Sequence, residues 1–321
     1  AEAPVPEGAG NARLNGGAPR RGAPAASNPA RMRGTLTGRF VYEGAVPERR
    51  QIVPGRDVDY FSRTPIWDQS LLVNEDGGLA NVFVFVRDSK IPVPPDAEAT
   101  EARPVKITVR DGNLVPRAVV GRTNQTFQLE NLEDVLTNLR WLAARSAPFN
   151  VAVPRQGSHE VAPTLRDEPL PAEVRSDLHV WMKGWVLVRD DPYAAVTGVD
   201  GSFRIENLPA GEWEFQLWHE KSGRLELPGW PGGRRRILIR PGTNDLGEIK
   251  VYPNDLKSKP IPAEFRLRPD RRLSTARMEP TPRWQTHRRN RPYGELGFAG
   301  DEYGPHWEFV RLATHPPVQK L

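Results

Sequence analysis

The chain has 321 residues, 38% of them hydrophobic and 26% charged, with 33 Pro, 28 Gly, no Cys and a formal net charge of +5. Proline and glycine make up about a fifth of the chain against a usual share of roughly 12%, which excludes a fold built of long helices. No uncharged apolar run approaches the ~20 residues of a membrane helix, and without cysteine there are no disulfides, thiolate metal sites, thiol nucleophiles or c-type haem attachment.

In chain order, residues 1–33 are Ala, Gly, Pro, Asn and Arg with few large apolar groups, and read as a flexible N-terminal arm. The chain opens at Ala1 on AEAPVPEGAG, as a chain trimmed by signal peptidase would, so an extracytoplasmic location (periplasm, envelope or secreted) is expected. Gly34 to Tyr42 alternates apolar and polar residues and predicts a half-buried strand. Residues 44–70, with Pro47, Pro54 and Pro65, predict irregular chain. Leu79–Val86 predicts a strong strand, entered from the turn residues Asn74–Gly78.

Further strands are expected near 104–109, 114–120, 125–130 and 158–162, with a strand or loop over 131–143. The near-continuous apolar run Leu178–Val188 predicts a central strand. Short strands follow near 193–197, 202–206, 213–219, 236–240 and 247–252, spacings that suit a sandwich or barrel. Residues 257–321 show no sustained period and read as an extended C-terminal arm.

The charge sits at the ends. Residues 257–321 hold thirteen Lys/Arg against seven Asp/Glu, and residues 1–33 five against two, so the middle is net acidic. Basic arms suit nucleic acid, anionic lipid or acidic protein surfaces. No zinc knuckle, aromatic RNA-binding signature or basic helix accompanies the charge, so nucleic acid is set aside; peripheral contact with a membrane remains compatible. Arg20, Arg21, Arg271, Arg272, Arg288 and Arg289, with Trp284, Tyr293, Phe298, Tyr303, Trp307 and Phe309, have the composition of a protein–protein contact surface. Other subunits of a large homo- or hetero-assembly are the expected partners.

Within Thr197–His219, Asp200-Gly201 predicts a hairpin turn, Phe203 and Ile205 alternate inward, and Trp213, Phe215 and Leu217 share a face. This segment resembles the carboxypeptidase regulatory-like domain, a small structural β-sandwich without peptidase residues of its own. Over about 34–252, the words Asp76–Val84, Asp177–Met182 and Asp191–Thr197 resemble planctomycete-type envelope proteins labelled methylamine-utilization or cupredoxin-like. The resemblance implies an all-β fold. A cupredoxin-like sandwich would occupy 34–190 and a carboxypeptidase regulatory-like module 191–256, between arms at 1–33 and 257–321.

That group often carries a type 1 copper site, with a His before an Asn on one strand and then Cys, His and Met in a C-D-I-H-P-W-M word. Here the resemblance puts Thr137 at the first imidazole, Ser176 at the thiolate, and His179 and Met182 at the remaining two ligands. Arg117, after Pro116, also takes a place often held by His. A thiolate, two imidazoles and a weak thioether are what blue copper needs, so His179 and Met182 are a remnant, expected to pack beside Trp181 and Trp185, and no cofactor is expected.

The remaining candidates read as bland. His159-Glu160 and His219-Glu220 are adjacent pairs, expected as solvated edge residues rather than dyads. Glu130/Glu133/Asp134 and Asp167/Glu168 read as solvated loop acids, although paired carboxylates can hydrolyse glycosides when held at a set separation. H-E-x-x-H, G-x-S-x-G and phosphate-cradling loops are absent. The expectation is a non-catalytic structural or adaptor subunit. The alternatives are a carbohydrate-binding module on a Trp185, Trp218 and Trp230 platform, or a cupredoxin-derived electron-transfer accessory protein.

Overall fold

The computed structural model of the chain describes residues 32–93 and 103–257. They are almost entirely β. The first strand, β1 (Arg33–Tyr42), alternates strictly, with Leu36, Phe40 and Tyr42 turned inward. The segment expected to be irregular instead carries β2 (Gln51–Ile52), a one-turn helix α1 (Val58–Phe61) and β3 (Ile66–Trp67). β4 (Phe83–Val86) is buried on both faces, which is why its sequence is continuously apolar.

Then come β5 (Val105–Arg110), β6 (Asn113–Val115), β7 (Ala118–Arg122), β8 (Phe127–Asn131), β9 (Thr137–Trp141) and β10 (Phe149–Val153). β11 (Gly157–Val161), β12 (Ala172–Arg175) and β13 (Lys183–Arg189) follow, then β14 (Ala194–Val196), β15 (Ser202–Pro209) and β16 (Gly211–His219). The last are β17 (Gly223–Arg224), β18 (Arg234–Ile239) and β19 (Gly242–Val251).

These strands make two sandwiches. In one, the sheet β15-β1-β19 faces β14-β4-β16-β17, with β18 added on β16. Leu36, Phe40, Phe203 and Ile205 pack there against Val84, Val86, Phe215 and Leu217. In the other, β10-β9-β12-β13-β7 faces β11-β8-β5-β6 around Ile107, Phe127, Leu129, Leu139, Trp141 and Val186. Each such fully buried large side chain contributes roughly 1.5–3 kcal/mol.

The division expected near residue 190 cuts across this pairing. β1 and β4 lie before it, yet β1 hydrogen-bonds to β15 and β19, and β4 to β14 and β16. The first sandwich is thus closed by both ends of the described chain around residues 105–189. Its parallel β1–β19 pair needs a long crossover, and the second sandwich supplies it. The outward face of β4 makes the join: Phe83 and Phe85 pack with Trp218 of the first sandwich and with Ala118 and Leu187 of the second.

The Asp200-Gly201 turn forms as expected, with Gly201 at φ 79. A Cβ there would lie 2.2 Å from the Phe40 carbonyl oxygen and 2.8 Å from the Leu79 nitrogen, so the turn can seat itself against β1 only as glycine.

Leu178–Met182 is a turn rather than the start of a central strand; β13 begins at Lys183 and lies between β12 and β7. Side chains decide this. The Asn138 Oδ1 accepts the amides of Asp177 (2.9 Å) and Leu178 (3.0 Å), and Ser176 Oγ accepts that of His179 (2.9 Å). Three amides taken in this way leave no ladder for a strand to join.

Candidate metal centre

Thr137 opens β9, while Ser176, His179 and Met182 lie in the turn between β12 and β13. Pairing of β12 with β9 brings the two segments side by side. All four side chains are buried, Thr137 at 1% exposure and the others at 0%. The positions that the resemblance singled out therefore do converge.

What converges is a hydrogen-bond network. Thr137 Oγ1 lies 3.0 Å from His179 Nδ1 and 3.1 Å from Ser176 Oγ. Ser176 Oγ donates to Asn138 Oδ1 at 3.1 Å. The opposite ring nitrogen, His179 Nε2, lies 2.8 Å from Asp57 Oδ2. A carboxylate only accepts, so the Nε2 proton faces Asp57. Backbone bonds close the turn: Met182 N–H to the His179 carbonyl (2.8 Å) and Ser176 N–H to the Met182 carbonyl (3.1 Å).

This donor set does not fit type 1 copper. A hydroxyl stands for the thiolate and another for the first imidazole, and both nitrogens of the remaining imidazole are engaged. The arrangement does not offer nucleophilic catalysis either. A Thr–His–Asp chain has the spacing of a triad, but Thr137 and Ser176 are buried away from solvent.

Aromatic packing holds the ring. Phe61 meets His179 edge-on at 5.0 Å, Trp181 sits 5.3 Å from it, and Phe61 and Trp181 pack edge-on at 5.4 Å. The expected packing beside Trp181 is present; Trp185 packs instead on Trp218, 4.7 Å away. Sequence reasoning missed Asp57 and Phe61. They come from the proline-rich stretch around α1, and nothing in that stretch marks a partner 122 positions along the chain. Asn138 did carry a signal, as the Asn of the His-Asn word.

Several bland readings are overturned. His219 is buried at 1% exposure, and burial, with Lys221 adding to it, pushes its pKa down to about 3. Glu220 pairs with Arg117 through Nε–Oε1 at 2.5 Å and Nη2–Oε2 at 2.7 Å, both side chains only 8% exposed. Arg117 thus ties β7 to the end of β16 and has no part in the His179 network. Of the acids, Glu133 is buried, accepting from Tyr60 (2.9 Å) and the Gly112 amide (2.8 Å).

Glu168 is fully buried and accepts the amides of Ala144, Arg145 and Ser146 and the Ser146 hydroxyl. Asp167, Asp190 and Asp191 bring carboxylates within 4.8 Å of one another. Arg189 already pairs with Asp167 at 2.9 Å and with Asp191 at 2.5 Å. Burial raises the Asp167 carboxyl despite Arg189. His159 and Glu160 are exposed on β11, as expected.

The Trp platform also fails, because Trp218 and Trp230 are 5% and 2% exposed. A buried indole in a sandwich core has no face to offer a sugar. The arm residues Arg20, Arg21, Arg271, Arg272, Trp284, Arg288, Arg289, Tyr293, Phe298, Tyr303, Trp307 and Phe309 lie outside the described residues. Among the described residues no helix is long and apolar enough to cross a membrane.

No protein-family description and no curated protein matches the chain. Solved structures match parts of it. A copper-containing nitrite reductase from Thermus scotoductus SA-01 is 14% identical over 26% of this chain, with TM-score 0.23, and only 22% of that enzyme's length is covered. The oxidised P94A mutant of amicyanin is 12% identical over 33% of this chain and 98% of its own, with TM-score 0.24. A purple cupredoxin from Nitrosopumilus maritimus is 16% identical over 26% of this chain and 98% of its own, with TM-score 0.22.

Proposed function

We propose that the chain is a non-catalytic structural or adaptor subunit of an extracytoplasmic assembly. In this reading a cupredoxin-like sandwich serves as a scaffold, the 197–219 hairpin is part of a carboxypeptidase regulatory-like module in its structural role, and the basic arms engage neighbouring chains. The observation that carries it is the closed state of the His179 network. A redox protein needs a metal-binding donor set, and an enzyme needs a reachable nucleophile or acid. Here the residues at those positions spend their capacity on one another.

Such a network fixes a loop rather than performing chemistry. A rigid body with aromatic and arginine-rich arms suits large contact areas, since ordering an arm on a partner costs entropy that only a wide interface offsets. The test is the native mass of the full chain by light scattering, next to a full-length variant with Trp284→Ala, Trp307→Ala, Arg271→Glu and Arg272→Glu. The reading expects a large assembly for the parent and a smaller species for the variant. A parent chain that runs as a monomer, or a variant that assembles equally well, contradicts it.

A further inference from the structure

Where the two sandwiches meet there is a groove of about 680 Å³, inside the range of roughly 300–1,000 Å³ typical of ligand sites. We infer that this groove, walled by Trp181 and Trp185 and edged by Asp68, Glu173, Lys183 and Lys221, binds a neutral oligosaccharide.

The two indoles are half-buried and fixed from behind. Trp181 donates its N–H to the Gly112 carbonyl at 3.1 Å and packs on Phe61, while Trp185 packs on Trp218. Rings held this way lose little freedom when a flat partner settles on them. The floor is the Arg117–Glu220 pair, whose charges satisfy each other.

The rim chooses the ligand class. Four cations (Arg50, Arg117, Lys183, Lys221) face three acids (Asp68, Glu173, Glu220), an excess of only one charge. A polyanion calls for a clear cationic surplus; a balanced rim suits an uncharged partner. The rim pairs are also loose: Arg50 stands 3.8 Å from Asp68 Oδ2, and Lys183 stands 3.5 Å from Glu173 Oε2. Those separations exceed hydrogen-bond length, so both partners keep capacity to spend. Asp68 uses Oδ1 on the Ser70 amide at 2.8 Å, and Glu173 uses Oε1 on Arg175 at 3.3 Å, which leaves the second oxygen of each toward the groove cations.

Burial alone would raise the Asp68 carboxyl, but Ser70, Lys221 and Arg117 together hold it below the usual range, so it remains an acceptor. Carboxylate acceptors set beside cationic donors, Asp68 by Arg50 and Glu173 by Lys183, next to aromatic faces match hydroxyls, which donate and accept in turn. Of the Trp185–Trp218–Trp230 platform expected for a sugar, Trp185 alone lines this groove, with Trp181 beside it.

The test uses the full chain, titrated with cellohexaose, xylohexaose, mannohexaose, maltohexaose and chitohexaose, and with hexagalacturonate as the anionic comparator. Calorimetry and tryptophan fluorescence are read together. At least one neutral hexasaccharide is expected to bind with Kd below ~1 mM and to shift the indole emission. Trp181→Ala should weaken that binding about tenfold or more. Because Trp181 also packs on Phe61, the rim variants Asp68→Asn and Lys183→Met serve beside it; each should weaken binding about threefold with an unchanged circular dichroism spectrum. Absence of binding by all five neutral sugars at about 5 mM overturns the inference. So does binding of hexagalacturonate alone, or binding that all three variants leave unchanged.

Discussion

The Arg117–Glu220 pair is the most exacting place to perturb the molecule. Both side chains are 8% exposed, joined by two hydrogen bonds at 2.5 and 2.7 Å, and they bridge strands of different sandwiches. Glu220→Ala leaves a guanidinium buried with one remaining bond, from Nη1 to the Lys183 carbonyl at 3.2 Å. Removing one partner of a buried pair costs about 3–5 kcal/mol, mostly the penalty of the charge left behind. At about 2–4 °C per kcal/mol for a body of this size, the melting temperature should fall by roughly 6–20 °C.

Arg117→Met with Glu220→Leu removes both charges and should restore most of that loss, because two apolar groups replace two desolvated ions. Calorimetric melting and denaturant titration of the parent, Arg117→Met, Glu220→Leu and the double variant close the cycle, with Glu220→Ala measured beside it. A Glu220→Ala loss below ~1 kcal/mol would show that the pair is in effective contact with water and not a buried one. A double variant as unstable as the two single losses combined would count equally against a buried pair.

Three further outcomes concern His219, Gly201 and Glu168. His219 has its pKa lowered from 6.5 to about 3 in the folded state, so between those values the unfolded chain binds the extra proton. Stability should therefore fall as pH drops through that window, by up to about 1.4 kcal/mol per pH unit, and His219→Gln should remove one proton from the slope of unfolding free energy against pH. A slope that the substitution leaves unchanged counts against burial as the cause. Gly201→Ala should cost more than ~2 kcal/mol, combining a φ of 79 with a Cβ driven onto the Phe40 carbonyl, and denaturant melting reads it directly. Glu168→Ala should cost about 3–5 kcal/mol by orphaning three amides and a hydroxyl, whereas Asp134→Ala on the exposed loop should stay within about 0.5 kcal/mol.

Much of the β architecture could be read because alternation reports burial directly. β1 inverts inside and outside at every residue, and β4 runs apolar because both of its faces are covered. The Asp200-Gly201 turn was legible because only glycine tolerates that backbone. The run Leu178–Met182 misled because apolar content does not distinguish a strand from a buried turn; three side-chain acceptors decided the matter, one of them Asn138 on another strand.

The association of β1 and β4 with β14–β19 was not legible, since pairing across some 160 residues leaves no mark on either segment. The candidate site was half legible. Thr137, Ser176, His179 and Met182 were found by the words they sit in, and they do meet. Asp57 was not, because a carboxylate in an irregular stretch looks like any solvated acid until the fold delivers it to an imidazole. Glu133, Glu168 and Glu220 misled for the same reason: a charged side chain announces solvent, and only its buried partners say otherwise.

Hydrogen bonds among Thr137, Asn138, Ser176, His179 and Asp57 occupy the side-chain atoms that a metal at this cluster would need. Copper uptake tests this most directly: Cu(I) and Cu(II) are added to the full chain, to Thr137→His with Ser176→Cys, and to that pair with His179→Ala, followed by desalting and visible spectroscopy. The parent should retain less than about 0.1 equivalent, while the double variant should retain about one and show a thiolate-to-copper band that His179→Ala abolishes. A parent chain that retains a full equivalent of copper would contradict this.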